Sequence, residues 1–161
     1  MCAMPEDALL DAPYAAEIDL ERERWTEIEA ISRDLTEDER ERHGYYEDDG
    51  GWSAKDMIGH LGAWMALAHA HLLRIEAGNE DKVPDDIDAL NAQFLAALHD
   101  QDWETVWTQA QSARTQMLRV WARLPTRSSD ADAWVRKSGA EHELEHLPRL
   151  RAWVEELRAG D

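Results

Sequence analysis

Apolar side chains in this chain return at intervals of three, four and seven residues almost from end to end, and no stretch alternates apolar with polar residues between turn signals. That pattern leaves the helix as the building unit. Ile18, Trp25, Ile28, Ile31 and Leu35 fall on one stripe of a first helix predicted over Tyr14 to Leu35, with the charged run Glu21-Arg22-Glu23-Arg24 expected on its wet face. Thr36 to Gly51 is dense in Glu, Asp, Arg and Gly, carries His43-Gly44-Tyr45-Tyr46, and reads as a helical turn followed by a loop.

The second helix has the clearest start. Ser53 followed three residues later by Asp56 is a capping-box pattern, with Trp52 and Met57 placed as a hydrophobic staple. It is predicted to run to Ala77, where Gly78-Asn79 supplies a left-handed stop. Pro84 suits the start of a shorter helix marked by Ile87, Leu90, Phe94, Leu95 and Leu98. Asp102 is placed to cap a long amphipathic stretch from Trp103 to Leu124 that Pro125 closes. Thr126 to Ser138 is polar enough to read as a linker, and a last helix from about Gly139 carries His146, Leu150, Trp153 and Leu157. Four long helices and one short one, joined by long crossover loops, predict an all-α fold, a four-helix bundle. Loops of that length allow an up-down-down-up order as readily as simple alternation.

At 161 residues the chain suits a single domain, 1–161, with residues 1–12 expected to be flexible. Its formal charge of −18 repels phosphate backbones and anionic headgroups, which argues against nucleic acid and membrane partners. No apolar run approaches the roughly 20 residues of a membrane span, and the first residues lack a signal peptide's basic flank and apolar stretch, so a cytoplasmic chain is expected. One cysteine, Cys2, makes no internal disulfide possible. Seven His and eight Trp beside a single Phe are the unusual feature. The Trp rings suit a core or the walls of a ligand pocket.

Glu141-His142-Glu143-Leu144-Glu145-His146 puts two imidazoles one turn apart on one side of the last helix, a spacing that lets both reach one metal ion. A third ligand must come from elsewhere. The best donor is His60, on the stripe His60, Trp64, Leu67, His71, Ile75 of the second helix. His60 and His146 each lie seven residues past their helix starts, about 10 Å along, so parallel neighbouring helices would bring them level. His71, roughly 16 Å farther on, is out of reach of the same ion. A carboxylate di-iron site needs a second Glu-x-x-His besides Glu143-Leu144-Glu145-His146, and none exists.

Trp52-Ser53-Ala54-Lys55-Asp56-Met57-Ile58-Gly59-His60-Leu61-Gly62-Ala63-Trp64 resembles the W-S-x-x-D-x-x-x-H-L-x-x-W signature of the DinB-like (DinB/YfiT) superfamily of metalloenzymes. His142-x-x-x-His146 resembles its closing H-x-x-x-H, and Leu90-Asn91 matches several branches. The resemblance implies an up-down-down-up bundle, a homodimer, and one divalent metal ion, zinc or nickel, held by His60, His142 and His146. Near the mycothiol-dependent maleylpyruvate isomerase branch the first of the paired positions is Glu, so Glu141 is a competitor for the place of His142. Pro148, two residues past His146, departs from the pattern and is expected to bend the helix. Asp56, Glu141 and Glu145 are candidates for orienting the imidazoles. Trp134, Arg136 and Lys137 are candidates for meeting an anionic ligand.

The chemistry the resemblance implies is metal-dependent thiol S-transfer or isomerisation, with a low-molecular-weight thiol of the mycothiol or bacillithiol kind acting on a small electrophile. A metal-bound hydroxide acting as a hydrolase is the alternative. From a different class comes a non-catalytic protein that sequesters a reactive or hydrophobic small molecule.

Overall fold

The structure, a computed structural model, describes residues 15–46, 51–79, 86–126 and 128–160. Among them are seven helices and no strand: α1 (Ala15–Asp34), α2 (Glu37–Glu41), α3 (Ala54–Glu76), α4 (Ile87–Leu98), α5 (Trp103–Arg123), α6 (Ser129–Ser138) and α7 (Ala140–Ala159). The fold is the all-α bundle that the periodicity predicts. The expectations for residues 1–12, Cys2 and Pro84 lie outside the described residues.

Local chemistry sets the helix ends. Ser53 and Asp56 form the full capping box, and Trp52 and Met57 beside it are buried. Gly78 closes α3 with φ of 76°, a left-handed conformation that a side chain would strain. Asp102 accepts from the Thr105 amide to start α5, which stops before Pro125.

Contacts among the long helices fix their directions. Lys55 Nζ donates to the Gln101 carbonyl at one end of the α3–α5 pair, Gly62 abuts Ala110 midway, and Arg123 forks onto Glu76 at the far end, so these two run parallel. Trp25 reaches Gln111 and Glu21 reaches Arg114, while Arg40 just beyond α1 covers Trp103, so α1 opposes α5. Arg24 bonds the Ala140 carbonyl, Glu27 pairs with Arg151 and Asp34 with Arg158, which makes α1 and α7 parallel. The order is up-down-down-up.

Two expectations need correction. Thr126 to Ser138 is not simply a linker, because Ser128 caps α6 and the buried stripe Ala131, Trp134, Val135, Ser138 packs it against the bundle. Polar residues outnumber that stripe, which hides the helix in the sequence; the described residues hold seven helices where four long ones, one short one and a helical turn are predicted. α3 and α7 run antiparallel, as the up-down-down-up order requires, so equal offsets from the helix starts are not what brings their histidines together. With α6 occupying the stretch just before it, α7 enters partway along α3, so His142 lies between His60 and Trp64, and His146 lies on the other side of His60 from Trp64.

The wet face assigned to α1 is likewise wrong at Glu21, which is 2% exposed and accepts both Arg114 nitrogens at 2.5 and 2.6 Å. Glu143 is fully buried near this pair. Burial first and the Glu21 carboxylate second raise its pKa far above the usual carboxyl range, so it is held neutral. Helix α7 runs unbroken through Pro148. The carbonyl that Pro148 leaves without its helical donor belongs to Leu144, a half-exposed residue.

Candidate metal centre

The capping box that starts α3 also sets the phase of the helix, placing Met57, Ile58, Leu61 and Met65 in the core and His60 with Trp64 on the flank turned toward α7. From α7, His142 and His146 project one turn apart. His60 Nε2 lies 2.9 Å from His142 Nε2, and His146 Nε2 lies 3.2 Å from that same atom. All three ligand atoms fall within 4.8 Å of one another, close enough to bind one metal ion. A tetrahedral ion at the usual zinc–nitrogen distance of about 2.0–2.1 Å holds its nitrogens roughly 3.3 Å apart, so little adjustment separates this arrangement from a ligand set.

Burial makes the rings good ligands. His60 and His146 are 5% and 6% exposed, and His142 is partly covered. Burial, reinforced by the other two imidazoles, pushes His60 down to about 2. Burial and then His146 push His142 down to about 3, against the opposing pull of the Ser138 carbonyl one turn back. Burial alone takes His146 to about 4. All three are neutral at pH 7, each with one lone pair and one N–H. Three such nitrogens cannot all pair with one another, because the His142 Nε2 shared by two contacts can accept or donate only once. A cation at the centre satisfies all three.

A cavity of about 570 Å³, ample for a small organic molecule, adjoins the three imidazoles. Trp52, Trp64 and Trp134 line it, while Trp25, Trp121 and Trp153 are buried in the core, so the indoles serve both purposes considered for them. Each wall is braced. Trp64 Nε1 donates to Asn91 Oδ1 at 2.9 Å and its ring meets the edge of Phe94, which is the work that α4 does. Trp134 lies against the His71 ring at 4.6 Å, and His71 Nε2 contacts Asp130 Oδ2 at 3.0 Å. His71 is thus a wall support away from the trio.

The remaining candidates separate cleanly. Glu141 is exposed and pairs with Arg136 at 3.3 Å, and it does not stand in for His142. The Asp56 carboxylate is spent on the Ser53 amide and hydroxyl and does not orient His60. Glu145 lines the cavity without bonding an imidazole. Lys137 and Trp134 line it as well, whereas Arg136 lines a smaller, mostly apolar cleft with Leu20, Leu118 and Leu144.

Tyr46 is the residue that spacing alone does not reveal. Its hydroxyl lies 3.1 Å from His146 Nδ1, and the neighbouring Tyr45 hydroxyl donates to the His146 carbonyl at 3.3 Å. The loop is held there because the Gly44 and Tyr45 amides both donate to the Trp52 carbonyl, with Gly44 at φ of 114°. The Nδ1 atoms of His60 and His142 have no such partner. An aromatic pair in a charged loop is the one hint of this role in the sequence.

No model of a known protein family matches the chain, and no curated protein matches it. Among solved structures, the crystal structure of an uncharacterised protein from Escherichia coli UTI89 has a similar fold, with a TM-score of 0.75 over 88% of this chain and 92% of that one. At 11% identity the likeness concerns the fold alone.

Proposed function

We propose that this chain binds one divalent transition metal through Nε2 of His60, His142 and His146 and acts with it on a small molecule held in the adjoining cavity. The observation that carries the proposal is the convergence of three neutral imidazole nitrogens from two helices beside a 570 Å³ cavity. Three nitrogen ligands with a further position left open is the pattern of a working site, where structural zinc takes four. Zinc and nickel suit such a set, and the DinB-like signature at Trp52–Trp64 supports the same choice.

A bound metal would supply a Lewis acid that lowers the pKa of a thiol or water in its open position. The protein's own residues do the rest. Burial keeps the imidazoles unprotonated, the indoles of Trp52, Trp64 and Trp134 exclude water and pack on an apolar body, and Lys137 offers a cation to an anionic group. With the Asp130 carboxylate held by His71, Glu145 is the lining carboxylate left to accept a proton. The reaction class that the resemblance to the DinB-like signature favours is thiol S-transfer: the sulfur of a low-molecular-weight thiol bonds to an electrophilic carbon as that carbon's bond to its leaving group breaks, the leaving group departs with the electron pair, and the thiol proton passes to Glu145 or to the departing group.

The experiment is conjugation of thiols to monobromobimane by the zinc- and nickel-loaded protein. Turnover that disappears with chelator supports the transferase. Tight binding of an aromatic ligand, read by tryptophan quenching, without turnover of thiol or ester substrates identifies a sequestering protein instead.

A further inference from the structure

We propose that Tyr46 sets the tautomer of His146, and that the hydrogen bond between them reverses direction when a metal is bound. This rests on the metal-binding function proposed above. In a neutral imidazole one nitrogen carries the proton and the other the lone pair, so the partner of Nδ1 decides what Nε2 can do.

Two arrangements fit the 3.1 Å contact. In the first, the Tyr46 hydroxyl donates to Nδ1, and Nε2 keeps its proton and donates to His142 Nε2 at 3.2 Å. This satisfies both nitrogens of His146 in the metal-free chain, and it blocks His146 as a ligand. In the second, Nδ1 carries the proton and donates to the Tyr46 oxygen, so Nε2 presents its lone pair to the centre. Between the two, one proton leaves Nε2 and one arrives at Nδ1, and Tyr46 keeps its own throughout. No net charge is gained or lost.

The second arrangement has a consequence in the cavity. Tyr46 lines it, and its hydroxyl has no other partner among the described residues. Once the oxygen accepts from Nδ1–H, the O–H is released as a donor to an acceptor atom of the bound molecule. Metal occupancy is thereby coupled to recognition of the ligand. His60 lacks any such control, since its Nδ1 is buried without a partner and its ring is oriented by packing against Trp52 at 4.9 Å, and the one backbone group acting on His142 is the Ser138 carbonyl of its own helix turn. A hydrogen bond of this type outside the ligand set is worth about ten- to a hundredfold in metal affinity.

The test uses the full chain with zinc alone as the probe. Tyr46→Phe is expected to weaken zinc binding about ten- to a hundredfold in competition with a chromophoric chelator, while Tyr45→Phe, which removes only the bond to the His146 carbonyl, stays within about threefold. Nitrogen-15 chemical shifts of His146 in the unmutated protein provide a reading that folding defects do not touch: protonated Nε2 without zinc, protonated Nδ1 with it. A Tyr46→Phe protein that binds zinc as tightly as the parent overturns the inference, and so does a His146 tautomer that stays the same on loading. An unmutated chain that takes up no zinc or nickel removes the metal function itself, a result distinguishable from either.

Discussion

His60 Nε2 stands 2.9 Å from His142 Nε2 across 82 residues of chain. The fold brings them there by running α7 antiparallel to α3, and the two atoms, with that of His146, define a centre that one ion can fill.

His71 provides the control for that centre. It is as buried as His60 and lies on the same helix stripe, yet it bonds Asp130 and braces Trp134. His71→Ala is expected to leave metal stoichiometry unchanged while altering tryptophan fluorescence and weakening ligand binding in the cavity. Loss of metal with this variant would show that the trio is not the site.

Acid tests the buried imidazoles. In the unfolded chain each titrates near 6.5, whereas in the metal-free fold burial holds them neutral down to about 4, 3 and 2. Below pH 6.5 the unfolded state therefore binds protons that the folded state refuses, so stability falls as pH falls. Urea midpoints of the metal-free protein should drop between pH 7 and pH 5 more steeply than those of the His60/His142/His146→Ala variant. Equal slopes would place the rings in contact with water.

The Glu21–Arg114 pair predicts the largest stability effect away from the centre. Arg114 is the cation that offsets a buried carboxylate, with neutral Glu143 beside it. Arg114→Ala leaves Glu21 buried and unpaired, at an expected cost of about 3–5 kcal/mol. Chemical denaturation measures it, and a cost under about 1 kcal/mol would mean that water reaches the pair.

Gly62 governs the closest approach of α3 and α5. A Cβ added there would lie 2.8 Å from both the Cα and the Cβ of Ala110, and backbone cannot step aside as a side-chain end can. Gly62→Ala gains up to about 1 kcal/mol in helix propensity but forces the pair apart, so a net loss of about 1–3 kcal/mol is expected in thermal or urea unfolding. A stabilised variant would contradict the tight packing.

The sequence makes the helices and the ligands legible for the same reason, since both depend on spacing within one element. Ser53, Asp56, Asp102 and Gly78 mark ends by side-chain and backbone chemistry that acts over three residues, and His142 and His146 are one turn apart by covalent geometry alone. What depends on approach between distant elements is not written in that way. Glu21 looks like any other charge in a solvated run until Arg114 arrives from 93 residues away. Tyr46 reaches His146 across 100 residues because a loop is pinned to the Trp52 carbonyl, and the antiparallel entry of α7 depends on α6, whose buried stripe is diluted by polar neighbours.

Metal content is the most direct test of the central claim. The protein, purified without a histidine tag, is measured by elemental mass spectrometry beside a folded His60/His142/His146→Ala variant. About one zinc or nickel per chain, absent from the variant, is the expected result. A metal-free protein that also fails to take up either ion on titration would contradict the account.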